Sequence, residues 1–351
     1  MYTEYSVHTF ELQTQIDYNT IHSLNNTFFN KSAYSIEKKT KLHKKKLCSC
    51  SYTFRQLNLP RINSITLKGI DLASGIPRYY VNVKINLQTA ISSFNTAHII
   101  HPDKIEEAMS KVHRNLTLLL PSEIIESLHF KRIDFCMNMI FDSPEQVPLY
   151  MKLLKKGITP ASLQEYKFIS PTQHRMITYK ESFLLKCKTY SFQIYDKHKQ
   201  MINRNLQNSD TAIGMIRFEL RANRNKIISL CDKYNILYPD YNKMKFLKQI
   251  PQITKCEVEK LCTTMYGTGD FHNYTYVKNK ILNSEYRQNT IDDMLIVLKY
   301  IAHHSSCQNI YENLHMKSNK FKRLMEKFNA IKCSPITIPA SYNIPYLPLP
   351  F

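Results

Sequence analysis

Three short segments place polar side chains on what otherwise reads as buried β-strand. The first is Arg132-Ile-Asp134-Phe-Cys136-Met-Asn138, in which strand alternation puts the polar residues on one face and the apolar residues on the other. A carboxylate in the middle of a strand needs a cation, a metal ion or an arginine as partner. The pattern therefore indicates either an Arg132–Asp134 pair on a solvent-facing sheet or part of a functional site.

The second segment, Arg217-Phe-Glu219-Leu-Arg221, has the same alternation. If its strand lies beside the first, Asp134 and Glu219 could share a hard divalent cation through their oxygens. An interstrand lattice of arginines and carboxylates is the alternative.

The third segment, Gln193-Ile-Tyr195-Asp196-Lys197, reads as a strand end that runs into a helix. Tyrosine can attack a phosphate, but its ordinary pKa of about 10 must be offset by a nearby cation or metal. Lys197 is suitably placed to hold the phosphate. Since the chain has 23 tyrosines, composition alone does not select this one.

Strands and helices at irregular intervals must position these segments. Alternation predicts strands at 5–13, 61–68, 78–87, 129–141, 182–187, 190–195 and 214–222, with helices at 102–117 and 144–156 between them. This order favours an α+β fold with a central antiparallel sheet and inserted helices.

After about residue 228 the pattern becomes helical, at 254–265, 290–303 and 318–331, before a proline-rich tail. We therefore predict an α+β domain over 1–228 and a helical C-terminal domain over 229–351. The segment 318–332 has one apolar stripe and an otherwise basic surface that includes Lys320 and Arg323. It is a candidate second helix of a helix-turn-helix that contacts DNA; a plain bundle helix is the alternative.

The charge balance points to a polyanion as partner. The chain has 351 residues with 48 Lys+Arg against 28 Asp+Glu, a formal net charge of +20. A basic arm at about 31–61 includes Lys44, Lys45 and Lys46, for which a merely solvated surface is the alternative. The 6 glycines cannot form a GxGxxG or GxxxxGK[ST] loop, which excludes the usual nucleotide-binding folds.

Compartment and metal class follow from the remaining patterns. The nine cysteines form no CxxC pair, so we do not expect a structural zinc site. We expect the cysteines to be reduced thiols. The sequence contains no 18-residue apolar run and no leader-like N-terminus, so we predict neither a membrane span nor secretion.

The order of these motifs, RxD in a strand, YDK after a hairpin and RxE in a later strand, resembles the replication initiation factors of plasmids, conjugative elements and filamentous phages. These are the Rep_trans-type rolling-circle initiators and their relatives in Gram-positive genomes. The stretch 182–226 carries most of the resemblance, followed by 129–141 and Ser334-Pro-Ile-Thr-Ile-Pro339. About 100 residues between 129 and 340 are involved.

The resemblance implies a relaxase-like endonuclease that nicks one strand of origin DNA through a tyrosine and keeps a covalent link to the 5′ phosphate. On this reading Tyr195 is the nucleophile and Asp134 and Glu219 hold Mg²⁺ or Mn²⁺. The phosphate contacts it implies are Lys197, Arg132 and Arg217, and Arg221 on the same strand is a further candidate DNA contact.

The resemblance departs from the family pattern at Asn138, where the family often has a second acidic residue, and the chain has no HUH triad. An amide oxygen can ligate a cation but adds no charge, so Asn138 is a weaker candidate ligand. The implied partners are origin DNA in single- and double-stranded form, host helicase and polymerase, and a second copy of the chain. The implied location is the cytoplasm of a bacterial host.

Other functions are also compatible with these sequence features. A non-catalytic DNA-binding or regulatory protein of a mobile element would need only the basic arm and the segment 318–331. A tyrosine recombinase is disfavoured because its helical HxxR region would here be the strand 129–141. An enzyme acting on nucleosides or RNA is a further alternative. Convergence of Asp134, Tyr195 and Glu219 would distinguish catalysis from binding alone.

The charge predicts a steep salt dependence of DNA binding. Each neutralised phosphate releases counterions, so six or more contacts would weaken binding about 1000-fold or more between about 50 and 200 mM salt. Fluorescence anisotropy of a labelled oligonucleotide across this range measures the slope. A nearly flat response would contradict the inference of a polyanionic partner.

Overall fold

The computed structural model describes residues 1–30, 34–43, 46–56, 62–72, 76–92, 97–166, 168–169, 176–177, 181–304 and 310–349. Its dominant element is a ten-stranded sheet in which every pairing is antiparallel. The strands of this sheet are β1 (Tyr2–Ile16), β2 (Tyr34–His43), β3 (Lys46–Gln56), β4 (Ser64–Ile70), β5 (Arg78–Ile85), β6 (His129–Ile140), β7 (Gln164–Glu165), β10 (Ser182–Lys186), β11 (Tyr190–Asp196) and β12 (Met215–Asn223).

The strand order is β2-β3-β4-β5-β1-β6-β12-β11-β10-β7, so β1, β6, β12 and β11 lie side by side. Two small pairs complete the strands: β8 (Phe168–Ile169) with β9 (Met176–Ile177), and β13 (Phe271–His272) with β14 (Tyr346–Leu347). The predicted α+β class with a central antiparallel sheet is confirmed.

Alternation gives the sheet two unlike faces. One face presents fully buried apolar side chains, among them Phe10, Val83, Phe135 and Phe218, to the main core. The other face, here called the polar face, carries the residues between them in sequence. Because side chains alternate along a strand, burying one face dictates which residues the opposite face presents.

Helices pack around this sheet. Within the described ranges they are α1 (Tyr18–Phe29), α2 (Leu87–Ile91), α3 (Ile105–Thr117), α4 (Ser122–Ser127), α5 (Val147–Leu154), α6 (Lys197–Asn203), α7 (Arg224–Tyr234), α8 (Lys243–Tyr266), α9 (Tyr274–Leu282), α10 (Gln288–His303), α11 (Ile310–Asn313) and α12 (Ser318–Ala330). The longest, α8, packs on β1 and β6. None of the helices so described is long and apolar enough to cross a membrane.

The region after residue 228 is largely helical, as expected, and its apolar residues belong to the same core cluster as those of the sheet. A hydrogen bond also joins the two regions, because the Tyr266 hydroxyl donates to the Leu154 carbonyl at 2.9 Å. The proline-rich tail is packed rather than loose, because Ile336 and Ile338 are buried and β14 pairs with β13. A domain boundary near residue 228 stays a prediction.

The predicted basic arm takes a defined form where it is described. Its residues 34–43 and 46–56 form the hairpin β2–β3 at one edge of the large sheet. Alternating Ile36, Thr40 and Leu42 with lysines gives this segment strand character, and charge on an edge strand opposes unwanted pairing. Lys44 and Lys45 lie outside the described residues, and Lys46 begins β3.

We predict that Phe135→Ala destabilises the fold by about 3–5 kcal/mol, since Phe135 is fully buried between Val7 and Leu220 of the neighbouring strands. Leu118→Ala is the control, because Leu118 is 65% exposed and its loss should cost under about 0.5 kcal/mol. Urea unfolding followed by circular dichroism compares the two. Equal losses would contradict this placement of the core.

Candidate functional site

The three polar segments identified in the sequence meet on the polar face. Strand β12 lies between β6 and β11, with Arg217 opposite Asn138 and Tyr195, and with Arg221 opposite Asp134. Strand β1 flanks β6 on its other side, and its register shifts between Val7 and Thr9. His8 is therefore the extra residue of a β-bulge, a feature that redirects a side chain.

Glu219 is the centre of this arrangement. The Tyr195 hydroxyl donates to Glu219 Oε1 at 2.7 Å, and His8 Nδ1 lies 3.0 Å from the same oxygen. Arg221 donates to Glu219 Oε2 at 3.4 Å, and an Arg217 nitrogen lies 4.0 Å from Oε1. The carboxylate thus contacts a phenol, an imidazole and two guanidinium groups.

Asp134 lies beside this cluster and is held by two arginines. Arg132 Nε donates to Asp134 Oδ1 at 2.9 Å, and Arg221 Nε donates to the same atom at 3.2 Å. Arg132 also pairs with Glu11 at 2.7 Å. Arg221 therefore bridges Asp134 and Glu219.

The two carboxyl groups have opposite pKa shifts. Burial raises the pKa of Asp134, although Arg221 and Arg132 oppose this effect. Burial would also raise the pKa of Glu219, but its contact with His8 and the charges of Arg217 and Arg221 lower it well below the usual value. Paired carboxyl groups with separated pKa values are typical of catalytic sites, although structural networks also produce them.

Arg217 and Asn138 form a buried layer next to the cluster. Arg217 is 1% exposed, and it donates to Asn138 Oδ1 at 2.7 Å and to the Ala97 carbonyl. The Asn138 amide nitrogen donates to Glu4 at 2.9 Å. The amide oxygen of Asn138 thus orients Arg217 here, and its role as a metal ligand stays a prediction.

Lys197 follows β11 at the start of α6. Asp196 caps this helix by accepting from the Lys199 backbone N–H at 3.0 Å, which orients the helix start. Lys197 is 6% exposed and donates to Gln200 at 2.9 Å. Burial, helped by the charge of Arg217, lowers the pKa of Lys197 to about 7, so this amine can both hold and release a proton near neutral pH.

Tyr195 is 2% exposed, and burial together with the Glu219 charge raises its pKa well above the usual value. The residue borders a cleft of about 230 Å³ that is also lined by Gln193, Asp196, Gln200 and Arg204. Most of the residues that line this cleft belong to β11 and α6.

His8, Asp134 and Glu219 form a group that could hold a metal ion. One ligand atom from each of these three described residues lies within 4.8 Å of the other two. His8 Nδ1 is buried, and among the described residues it has no partner with hydrogen-bond geometry, although it lies 3.0 Å from Glu219 Oε1. Burial and the charge of Arg217 lower the pKa of His8 to about 4, so the ring is neutral at pH 7, as metal ligation requires.

His8 is the residue that the sequence analysis missed. It belongs to the series Glu4, Ser6 and His8 on β1, which repeats every two residues like the motifs on β6 and β12. This two-residue period is the sequence feature that could have identified His8 as part of the polar face. The bulge that turns His8 toward Glu219 has no signature in the sequence.

The proposed DNA contacts divide into two groups. Arg132, Arg217 and Arg221 all lie at the site, as the contacts above show. Lys320 and Arg323 lie instead on the exposed side of α12, where Lys320 pairs with Asp293 at 2.6 Å. A role for α12 in a helix-turn-helix stays a prediction.

Comparison with solved structures gives a weak similarity, whereas the comparisons with family models and curated proteins find no match. The chain is similar to the rolling circle replication initiator protein from Geobacillus stearothermophilus with a TM-score of 0.31 and 10% identity, over 66% of this chain and 78% of that one. Similarity at this level does not establish a family or a function.

We predict that the protein binds one Mn²⁺ ion through His8, Asp134 and Glu219. His8→Ala should weaken binding about tenfold or more, because losing a ligand costs at least as much as losing a group that orients one. Isothermal titration calorimetry measures the affinity. The control is His98→Ala, since His98 bonds to Glu4 at 3.0 Å and is outside the group. Equal Mn²⁺ affinity in the His8→Ala variant and the unaltered protein would contradict this site.

Proposed function

We propose that the protein is a replication initiator of a plasmid or phage-like element that nicks one DNA strand through Tyr195. The observation that carries the proposal is the convergence on Glu219: a tyrosine hydroxyl at 2.7 Å and an imidazole nitrogen at 3.0 Å, with Arg221 bridging to a second carboxylate. A protein that only binds DNA has no need of a phenol hydrogen-bonded to a carboxylate in a potential metal site. The motif order on β6, β11 and β12 supports the same function.

The chemistry is a transfer of a phosphoryl group to tyrosine. Tyr195 Oη attacks the phosphorus of a phosphodiester while its proton passes to Glu219, the acceptor already in place. The bond from phosphorus to the 3′ oxygen breaks, and Lys197 donates a proton to that oxygen. The products are a 5′-phosphotyrosine linkage and a free 3′ hydroxyl, which can prime synthesis.

The arginines of the site are suited to the charge of the phosphate. Arg221 is 42% exposed at its side chain and can exchange part of its carboxylate contact for a phosphate oxygen. Arg217 is buried, 4.0 Å from Glu219 Oε1, and its hydrogen bonds go to the neutral groups of Asn138 and Ala97, so its positive charge acts on the site as a whole.

A divalent cation completes the proposal. His8, Asp134 and Glu219 would hold it, and mixed oxygen and imidazole donors suit Mn²⁺, while the carboxylates also suit Mg²⁺. Such a cation supplies positive charge that polarises the phosphate and favours ionisation of a nearby hydroxyl. The same field opposes the burial and carboxylate charge that now raise the pKa of Tyr195.

The implied partners follow from this role. They are origin DNA in single- and double-stranded form, host helicase and polymerase, and a second copy of the chain, in the bacterial cytoplasm. One observation favours the alternative of a non-catalytic DNA-binding regulator: Tyr195 is only 2% exposed. Access through the neighbouring cleft is what the nicking function requires and a regulator does not.

We predict that Tyr195→Phe abolishes nicking, because it removes the attacking oxygen and leaves the ring in place. Supercoiled DNA carrying the origin is incubated with Mg²⁺ or Mn²⁺, and nicked circles and denaturant-resistant protein–DNA adducts are measured on gels. DNA affinity should stay within severalfold of the unaltered protein.

Tyr276→Phe is the matched control, because Tyr276 is 42% exposed and lies on α9, away from these strands. It should nick normally. An adduct formed by the Tyr195→Phe variant would rule out Tyr195 as the nucleophile. Absence of any adduct from the unaltered protein would favour the regulator.

A further inference from the structure

The polar face continues beyond the Tyr195 site toward the hairpin edge of the sheet. Glu11 of β1 lies opposite both Arg132 of β6 and Lys84 of β5, and Lys84 in turn lies opposite Ser64 of β4. Adjacent strands are about 4.8 Å apart, so Lys84 is about 10 Å from the backbone of β6. The site and this part of the sheet therefore form one continuous surface.

Four cations lie on this surface beside two carboxylates, Glu11 and Asp134. Lys131 donates to Asn82 at 2.9 Å and is 3.9 Å from Glu11, which Arg132 also contacts. Lys68 and Lys84 lie on the same side of β4 and β5, and neither has a hydrogen-bond or ion-pair partner among the residues for which the structure gives positions. Two carboxylates do not neutralise four cations, and Asp134 also pairs with Arg221, so the surface has excess positive charge.

Mutual repulsion of these cations supports the same conclusion. Burial lowers the pKa of Lys84, and the charge of Arg132 adds to the effect while Asp134 and Glu11 oppose it. Burial also lowers the pKa of Lys131, where Glu11 opposes the shift and Lys68 and Arg132 add to it. Such crowding costs folding free energy unless an anionic ligand relieves it.

An aromatic ring lies within this otherwise polar surface. Tyr80 is paired across the strands with Lys68 on one side and Gln15 on the other, and it is half-buried. Its neighbours Tyr79 and Val81 point to the opposite face and join the core. Tyr80 thus presents a ring where packing of the core does not require one.

We propose that the surface formed by Lys68, Lys84, Lys131 and Tyr80 binds the single-stranded DNA adjoining the phosphate that Tyr195 attacks. Lysines along a groove hold the backbone, and a tyrosine stacks on an unpaired base, which is the usual combination for single strands. In a duplex the bases already stack on each other, so Tyr80 would gain no contact. The inference rests on the proposed function for its location, but its test needs no cleavage.

The test is equilibrium binding of a labelled single-stranded oligonucleotide without divalent cation, measured by fluorescence anisotropy at several salt concentrations. Removing one lysine that binds a phosphate should reduce affinity about fivefold at about 0.1 M salt and lower the log–log salt slope by about 0.7. The variant Lys68→Gln with Lys84→Gln should thus bind about 25-fold more weakly. The charge-retaining Lys84→Arg should keep the slope.

The controls separate charge, stacking and fold. Lys299→Gln removes an exposed lysine of α10 and should leave affinity unchanged. Tyr80→Ala should weaken binding of the single strand about tenfold and leave binding of the matching duplex unchanged, while Tyr80→Phe keeps the ring and the affinity. Circular dichroism checks that each variant is folded.

Two results would overturn the proposal: an unchanged slope in the double lysine variant, or equal losses for duplex and single strand in Tyr80→Ala. Because binding is measured without cleavage, an unaltered protein that forms no adduct would count only against the nicking function. If the unaltered protein nicks DNA and the double lysine variant binds the single strand more weakly, both the nicking function and the single-strand surface are supported.

Discussion

The buried carboxylate of Glu219 is the interaction on which the rest of the site depends. A carboxylate that is 4% exposed is stable only if its charge is compensated, and here Tyr195, His8, Arg217 and Arg221 all approach it. Each comes from a different position in the strands β1, β11 and β12. Arg217 and Arg221 supply the compensating charge and Tyr195 and His8 supply polar contacts, which makes this cluster a constraint on the whole central sheet.

The antiparallel register is what satisfies that constraint. Placing β12 between β6 and β11 aligns Arg221 with Asp134 and Arg217 with both Asn138 and Tyr195. A shift of one residue would turn the polar row into the core and expose Phe218 and Leu220. The hydrophobic core and the polar site therefore select the same register, each from its own face.

The same alternation links the site to the remaining surface. Because the core takes Val81, Val83 and Ile85 from β5, Lys84 and Tyr80 must face the polar side. The alternation of the strands thus decides that these cations and the Tyr80 ring lie on the same face of the sheet. A nucleic acid strand is a polyanion with stacking bases, and this surface offers both kinds of contact.

Much of the fold and part of the site were determined by local sequence alone. Period-two alternation in 129–141, 190–195 and 214–222 was sufficient to predict these strands and the polar faces of Asp134, Tyr195 and Glu219, because alternation is a property of each strand by itself. The packed proline-rich tail and the hairpin β2–β3 were not predicted in that form, since both depend on pairing with distant partners. His8 joined the site only through a β-bulge and through the order of strands β1, β6 and β12. Which strands become neighbours is decided by long-range packing across more than 200 residues, from His8 to Glu219, and only the tertiary structure contains that information.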